Sequence, residues 1–343
     1  MRRAGILSPL GIKLSAFMES PSPAIHLPGG NRFTDLRLDI AASIAAQESW
    51  LTQVPKRSVR RSRLANYTHL AVYLALRRLG FWEPAVNVGL IRDWFDEFSD
   101  YWSKSLGGRR LTVLDFHQIR FLFRKRFARL TDFSWDGADQ HLANWQLPEN
   151  IHATFHFLYR GALEPVRSRE IFTYLRSGMR VLEYGCSLAP MYRTWRSFLN
   201  HVHAEWVLAD IPNFPFHYSR HTYARDAEAS FCLITEELFD DPLRHVKGDF
   251  DIVIIHEVFE HLHKPRHLAE YLLRRLRPGG LLFFDYVHSD ATGHDTPAGL
   301  SDRIKTLQFL EQHLDIIVGD FEVSDRSLAR CIGRLKSAVA PPA

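Results

Sequence analysis

The stretch that decides the fold is FDIVIIHEVFEHLHKP, residues 250–265, together with LRPGGLLFFDYV, residues 276–287. Each contains a short and almost wholly apolar run that has the length of a strand and ends at polar or turn-forming residues. Because the runs are apolar throughout rather than alternating, both faces of such strands must be covered. Pro265 opens a helical pattern between them, as a first-turn proline does. The stretch therefore predicts two parallel strands joined by a helix.

The same alternation continues on both sides of this stretch. It predicts an α/β fold, a doubly wound Rossmann-like and mostly parallel sheet with an antiparallel edge hairpin, over residues 176–337. The predicted strands are Arg180–Tyr184, Glu205–Asp210, Ser230–Thr235, Phe250–His256, Leu281–Val287, Asp315–Gly319 and Ala329–Leu335. The predicted helices are Met191–Leu199, His217–Arg225, Glu236–Asp241, Pro265–Leu276 and Leu300–His313.

The first half of the chain has a different pattern. Residues 1–35 are rich in Pro, Gly and Ser and are interpreted as a tail or linker. Residues 36–175 show helical spacing of apolar and aromatic side chains, which predicts an N-terminal helical domain. We attribute the aromatic stripes to core packing rather than to a ligand platform. The predicted helices are Leu64–Leu79, one from Pro84 to Gly107, one from Asp115 to Leu130, and Glu149–Tyr159.

Composition excludes several classes of protein. The 343 residues are 46% apolar and 24% charged, which is too apolar for a disordered chain. No apolar run reaches the length of about 18 residues that a membrane-spanning helix needs, so no span is expected. The three cysteines are far apart and form no CxxC pair, which favours a reducing compartment. Pro9 and Lys13 interrupt the apolar start, so a cytoplasmic location is expected.

Charge is distributed unevenly. Residues 1–170 carry 24 Lys and Arg against 16 Asp and Glu, whereas residues 171–343 carry 19 against 23. Since 35 of the 43 basic residues are Arg, an arginine-rich composition explains the excess better than an anionic partner does. The dense cluster Lys56–Arg63 keeps the second interpretation open.

Two acids and a loop of small residues mark a candidate binding site. Gly185, Ser187 and Ala189 follow the first strand directly, where small residues let a ligand approach the backbone. The loop is neither GxGxxG nor a P-loop, and Glu183 within it would repel a pyrophosphate. Asp210 ends the second strand, where a carboxylate either grips a ribose diol or caps the next turn. Together these features favour an adenosyl ligand without phosphates.

With these motifs in hand, residues 179–335 resemble the class I S-adenosylmethionine-dependent methyltransferases. The matching segments are VLEYGCSLAP (181–190), WVLADI (206–211), FDIVIIHEVFEHLHKP (250–265) and LRPGGLLFFDYV (276–287). The resemblance covers a little under half of the chain. It departs from the family pattern where Ser187 and Ala189 replace the usual glycines.

The resemblance implies S-adenosylmethionine as the cofactor and assigns roles to several residues. Gly185 and Ser187 would lie against the methionine part and Glu183 by its amino group. The adenosyl part would be held by Asp210 at the ribose, Ile211 at the adenine, and Thr235 or Glu236 at the adenine amine. His256 would sit between cofactor and acceptor.

The loop after the fourth strand carries the candidate catalytic residues. A histidine that titrates near neutral pH is a suitable base for a hydroxyl acceptor, and His256 and His261 are the candidates. The segment His256–His261 is not HExxH, because Glu260 stands where the motif needs its second histidine. The resemblance also raises E-x-x-E-H metal binding by Glu257, Glu260 and His261, with His288 or His294 as an extra ligand. We expect no metal and keep this as a minority hypothesis.

These observations predict an S-adenosylmethionine-dependent methyltransferase that methylates oxygen on a small-molecule or sugar-containing acceptor. The N-terminal helical domain would cover the acceptor side. Three rival hypotheses remain. The chain could be an RNA methyltransferase that contacts phosphates through Lys56–Arg63 and Arg120–Arg129. It could be a cofactor-fold protein without activity, given Ser187 and Ala189, or a nicotinamide-dependent oxidoreductase.

Overall fold

The structure is a computed structural model. It describes residues 169–288 and 295–336 and, in the first half of the chain, residues 74–81, 94–106 and 137–146 with six single positions. Those positions are residues 45, 71, 84, 135, 150 and 154. Several predicted features lie outside these residues: the tail 1–35, the basic segments Lys56–Arg63 and Arg120–Arg129, the helix from Asp115, and His294. Within the described ranges, no helix has the length and apolar character needed to cross a membrane.

A seven-stranded sheet forms the centre of the described structure. Its strand order is β3-β2-β1-β4-β5-β7-β6, and all neighbours are parallel except β7, which is antiparallel to β5 and β6. This confirms the predicted doubly wound α/β fold with an antiparallel edge. The strands are β1 Met179–Tyr184, β2 Ala204–Asp210, β3 Ala229–Leu233, β4 Phe250–Ile255, β5 Leu276–Tyr286, β6 Leu314–Val318 and β7 Leu328–Leu335.

The strand order determines where a ligand can bind. From β1 the chain moves outward through β2 to β3 and then returns to place β4 on the other side of β1. The connections leave β1 and β4 in opposite directions, which opens a crevice beyond their carboxyl ends. The residues that follow these two strands are therefore the first candidates for a binding site.

Helices cover both faces of the sheet. The segment predicted as one helix from Leu300 forms two, because Pro297 and a hydrogen bond from the Gly299 N–H to Thr296 Oγ1 start a short helix first. Helix α2 was not predicted individually, because its sequence ADQHLANW has little apolar periodicity. The helices are α1 Trp94–Asp100, α2 Ala138–Trp145, α3 Arg169–Phe172, α4 Pro190–Phe198, α5 Phe214–Tyr223, α6 Pro265–Arg274, α7 Pro297–Ser301 and α8 Arg303–His313.

The core lies on the two faces of the sheet. Alternate residues of a strand point to opposite faces, so Val181 belongs to one buried cluster and Leu182 to the other. The first cluster includes side chains of α4 and α5 and the second includes side chains of α6 and α8. Because helices cover both faces of the described sheet, the carboxyl ends of its strands are where polar side chains can gather around a ligand.

The described part of the first half packs directly on the first face. A π-helix, Tyr101–Ser105, continues α1, and both Tyr101 and Trp102 are buried in the same cluster as Val181. Tyr101 Oη lies 2.6 Å from His217 Nδ1 on α5. Glu97 pairs with Arg193 of α4 and accepts a 3.3 Å hydrogen bond from Tyr218 Oη. These segments therefore share a core with the sheet, whereas the domain boundary near residue 175 stays a prediction.

Candidate active site

A row of polar side chains lines one face at the carboxyl edge of the sheet. In the parallel register Glu183 of β1 lies beside Leu208 of β2 and Ile254 of β4. Two residues further along these strands are Asp210 and His256, which therefore face the same side. Phe283 pairs with Ile254, so Asp285 of β5 extends the row. The row follows the strand order β2, β1, β4, β5.

The loop after β1 has an unusual backbone. Gly185, Ser187 and Ala189 all have left-handed φ values, of 63°, 50° and 49°. This conformation costs about 1–2 kcal/mol for a residue with a side chain, whereas glycine adopts it freely. The Ser187 N–H donates to Asp210 Oδ2 at 2.6 Å, and Ser219 Oγ donates to the Ser187 carbonyl at 2.6 Å. These bonds hold the strained conformation and bring two predicted site residues together.

Gly185 also sets the distance between two loops. A Cβ atom at this position would lie 2.4 Å from Val258 Cγ2, in the loop that follows β4. Real side chains do not approach that closely, so the glycine lets the loops after β1 and β4 pack against each other. The predicted cofactor loop and the predicted catalytic loop are therefore in direct contact.

Glu183 is buried and its carboxylate caps α4. Oε1 accepts the Met191 N–H at 3.1 Å and Oε2 accepts the Tyr192 N–H at 2.9 Å. In dinucleotide-binding folds these first-turn donors bind a phosphate. A carboxylate that already occupies them leaves no anion site there. The predicted exclusion of a pyrophosphate thus has a concrete geometric basis in this loop.

Asp210 accepts three hydrogen bonds. Besides the Ser187 N–H, its carboxylate accepts the Ile211 N–H at 2.7 Å and Asn213 Nδ2 at 3.1 Å. A carboxylate offers about four acceptor positions, so one remains for a ligand hydroxyl while these bonds persist. Burial raises the pKa of Asp210 to about 7, although the hydrogen bonds oppose this shift. Asp210 thus holds the loop and can bind a ligand at the same time.

The loops after β2 and β3 hold the other predicted adenosyl contacts. Thr235 Oγ1 is buried and has no hydrogen-bond partner among the described residues. A buried hydroxyl without a partner costs free energy, so this atom fits a site that a polar ligand completes. Glu236 begins the 3₁₀ helix Glu236–Leu238, and half-buried Ile211 packs against the second core cluster.

His256, at the tip of β4, lies between the carboxyl group of Asp285 and the guanidinium group of Arg330. Asp285 Oδ2 lies 3.0 Å from His256 Nε2, and Arg330 Nε donates to the same nitrogen at 2.6 Å. The Phe283 ring lies parallel to the imidazole, with centroids 6.2 Å apart. Burial raises the pKa of Asp285 to about 8, while its bond from the Glu257 N–H, 2.7 Å long, opposes the shift. Arg330 was not among the predicted site residues.

A cavity of about 610 Å³ lies beside this group, at the ends of β4, β5, β6 and β7. Its apolar side chains come from the last strands of the sheet, and its polar groups gather around His256. It is lined by Glu170, His256, Glu257, Phe283, Asp285, Val287, Val318, Ser327, Leu328, Ala329, Arg330 and Ile332.

His261 has different neighbours from His256. It ends the 3₁₀ helix Phe259–His261, and its Nδ1 lies 3.2 Å from Asp295 Oδ1. The ring of Trp145 is roughly perpendicular to its imidazole at a centroid distance of 5.3 Å. His261 does not line the 610 Å³ cavity. Over the described ranges, no three His, Cys, Asp or Glu side chains are grouped closely enough to hold a metal ion.

Helix α2 covers the loops at this edge of the sheet. Gln146, at its carboxyl end, donates to the Pro212 carbonyl at 3.1 Å in the loop after β2. His141 contacts Phe239, after β3, and His263, after β4, with ring centroids 5.6 and 4.9 Å away. One helix of the first half therefore touches the loops after three strands on the side where the cofactor is expected.

Residues 155–321 match a family model described as a methyltransferase domain. Among solved structures, the N-methyltransferase NodS from Bradyrhizobium japonicum WM9 shares 17% identity, covers 50% of this chain and 96% of its own, and has a TM-score of 0.38. An O-methyltransferase family protein from Burkholderia thailandensis shares 12% identity, covers 76% of this chain and 84% of its own, and has a TM-score of 0.44. The CurJ carbon methyltransferase shares 11% sequence identity, covers 67% of this chain and 73% of its own, and has a TM-score of 0.44. No curated protein matches the chain.

Proposed function

We propose that this chain, whose C-terminal half is a class I methyltransferase domain, transfers the methyl group of S-adenosylmethionine to a hydroxyl of a small or sugar-containing molecule. The observation that carries the proposal is the place of His256. It follows β4, which lies between β1 with the predicted cofactor loop and β5 at the cavity. A base at this point can reach an acceptor in the cavity while the methyl donor lies on the other side.

The choice of cofactor is supported by the loop after β1. Glu183 occupies the helix N-terminus that a phosphate would need, which disfavours NAD and its relatives. Asp210 retains one acceptor position for a ribose hydroxyl, and Thr235 Oγ1 lacks a protein partner among the described residues. S-adenosylmethionine, when bound, supplies a methyl group already activated on a positively charged sulfur. Gly185, Ser187, Asp210 and Thr235 or Glu236 are the residues that would hold it.

The protein then has two tasks. It must place the acceptor oxygen in line with the methyl group, and it must receive the proton that the hydroxyl loses. The cavity walls serve the first task, because their apolar side chains orient the body of the acceptor. His256 serves the second, because its ring faces the cavity at the end nearest to β1.

The acceptor class is supported by the size and lining of the cavity. About 610 Å³ lies within the range of roughly 300–1,000 Å³ that small-molecule sites occupy. Phe283, Val287 and Val318 would pack on an apolar part of the acceptor, and the polar groups around His256 would orient its hydroxyl. The two basic segments on which a nucleic-acid acceptor would depend lie outside the described residues.

Calorimetry tests the cofactor directly. We expect heat of binding with S-adenosylmethionine and with its demethylated product, and none with NAD or NADP. Asp210→Ala should weaken binding of the cofactor by about 1–3 kcal/mol, the scale of hydrogen bonds to a charged group. Asp315→Ala, an exposed acid on β6, serves as the matched control and should bind normally. If neither S-adenosylmethionine nor its demethylated product gives heat of binding, the proposal is refuted.

Incubation with isotopically labelled S-adenosylmethionine tests the acceptor. The purified protein is mixed with fractionated small metabolites and, separately, with RNA. We expect label in a small molecule, on an oxygen atom, and strongly reduced label when His256→Gln replaces the wild type. Label in RNA, or on nitrogen or carbon, would contradict the acceptor class while leaving the cofactor assignment intact.

A further inference from the structure

Arg330 reaches His256 because of an irregularity in the sheet. Phe284 of β5 pairs with Cys331 of β7, but the next pair is Tyr286 with Leu328. Two residues of β7, Ala329 and Arg330, therefore oppose the single residue Asp285. Such a bulge changes the direction in which a strand side chain points, and bulges are frequent beside active sites. Here it coincides with a guanidinium that contacts the predicted base.

The direction of this hydrogen bond defines the protonation of the imidazole. An arginine Nε carries a proton and can only donate. Because Arg330 Nε donates to His256 Nε2, that nitrogen must present its lone pair and carry no proton. A neutral His256 then carries its proton on Nδ1. Each ring nitrogen has one lone pair in the ring plane, so Nε2 can accept from Arg330 or from an acceptor hydroxyl but not from both.

Asp285 approaches the same nitrogen from β5. Its Oδ2 lies 3.0 Å from His256 Nε2, where an ionised carboxylate would repel the lone pair. A protonated Asp285 removes that repulsion, and its burial favours the neutral acid. Among the described residues, charged groups near this pair include Glu257 and Glu260, from the loop after β4, Glu170, which lines the cavity from α3, and Arg303 of α8.

We propose that Arg330 and Asp285 are positioning residues, which hold His256 as the Nδ1–H tautomer with its unprotonated Nε2 directed into the acceptor cavity. An acceptor hydroxyl would take the place of Arg330 at Nε2 and transfer its proton there as its oxygen bonds to the methyl carbon, while the carbon–sulfur bond of the donor breaks and the demethylated product leaves as a neutral thioether. Without Arg330, the hydrogen bond that requires an unprotonated Nε2 is lost, so the ring proton can move from Nδ1 to Nε2, and Nε2 can then no longer act as a base. The tautomer assignment is independent of the proposed function. The catalytic consequence rests on the proposed function.

Nitrogen-15 NMR of histidine-labelled protein tests the tautomer without any assay of activity. The signals of His256 are identified as those that disappear in His256→Gln. We expect Nδ1 protonated and Nε2 unprotonated in the wild type. In Arg330→Met the proton should move to Nε2, whereas in Arg334→Met, an exposed arginine of the same strand, the tautomer should stay unchanged. A protonated Nε2 in the wild type, or an unchanged spectrum in Arg330→Met, would overturn the proposal.

Kinetics test the catalytic consequence. Arg330→Met should lower kcat several-fold with little change in cofactor affinity, and its pH–rate profile should shift relative to that of Arg334→Met. Asp285→Asn, which keeps the shape of a neutral acid, should retain more activity than Asp285→Ala. Unchanged kcat and pH profile in Arg330→Met would contradict a positioning role. Should no acceptor be methylated by the wild type, the proposed function fails while the NMR result still decides the tautomer.

Discussion

The backbone N–H of Ser187 donates to Asp210 Oδ2 across 2.6 Å, which joins the loop after β1 to the tip of β2. The same carboxylate is the predicted partner of a cofactor ribose. Asp210 thus has a structural task and a predicted binding task, and a substitution there affects both. Predictions about this edge of the sheet must therefore separate loop stability from ligand affinity.

Replacing Ser187 by glycine should stabilise the protein by about 1 kcal/mol, because the left-handed conformation at this position strains any residue with a Cβ atom. The backbone bonds to Asp210 and from Ser219 are kept by glycine. Urea denaturation measures the change. Ser187→Ala retains Cβ and serves as the control, and an equal gain in stability from alanine would show that strain is not the cause.

Gly185→Ala should destabilise the fold by about 1–3 kcal/mol, since the new methyl group would lie 2.4 Å from Val258 Cγ2 and overpacks the loop contact. Trimming the opposing side chain should relieve part of this cost. Gly185→Ala should therefore cost less stability in a protein that already carries Val258→Ala than it costs in the wild type. Simple additivity of the two changes would argue against direct contact between the loops.

The stability of the protein should depend on the protonation of Asp285. Burial raises its pKa from the usual 3.8 to about 8, so the folded state retains a proton that the unfolded state has lost. The contribution of Asp285 to the free energy of unfolding is therefore complete below about pH 4 and is lost as the pH rises through about 8. The stability of Asp285→Asn relative to wild type should increase between pH 5 and about 8, as followed by urea denaturation.

Asp315→Asn provides the control for that series, because Asp315 is exposed on β6. An increase of equal size in Asp315→Asn would show that the trend does not come from the burial of Asp285. A constant difference for Asp285→Asn would show that Asp285 is ionised in the folded protein at neutral pH.

Glu97→Gln should lower the free energy of unfolding by about 1–3 kcal/mol. The substitution removes the charge that pairs with largely buried Arg193 and that accepts from Tyr218 Oη. Asp100→Asn on the same helix is the matched control, since its partner Lys104 is exposed and such pairs contribute little. Equal effects of the two substitutions would contradict a special role of Glu97.

Parallel substitution of the two candidate bases should distinguish them. His256→Gln is expected to lower turnover by about 10²–10⁴-fold, the contribution of a positioned base, with unchanged cofactor affinity. His261→Gln should have the smaller effect on turnover, because His261 contacts Trp145 and Asp295 rather than the cavity. Initial rates with the identified acceptor and calorimetry with the cofactor provide the measurements. The opposite order of effects would move the base to His261.

The sheet could be predicted from sequence because each strand is a short apolar run between polar turns. The bounds of β1, β2 and β4 agree with prediction within one residue at either end. Strand β5 is longer than predicted, since it begins at Leu276 and includes Gly279 and Gly280, which are turn signals in a sequence alone. Local patterns therefore identify the strands but miss how far pairing extends.

The predicted site residues lie at the carboxyl ends of β1, β2, β3 and β4 or just after them, since the ends of parallel strands meet at one edge, and their roles stay predictions. The partners of these residues could not be predicted. Arg330 is separated from His256 by 74 residues and reaches it through the bulge in β7, for which the sequence has no local signal. Similarly, the cap that Glu183 makes on α4 depends on side-chain direction. The sequence offers one clue to these partners, which is that a polar residue, Asp285, lies near the end of an apolar strand.

The contact between α1 and the face that carries α4 and α5 limits how this protein can be divided. A fragment that begins at residue 169 would retain every strand of the sheet. It would also expose Tyr218 and Arg193 where Tyr101 and Glu97 now cover them. An aromatic patch opened in this way tends to associate with other copies. Expression of the C-terminal half alone is therefore expected to yield aggregates rather than an isolated catalytic unit.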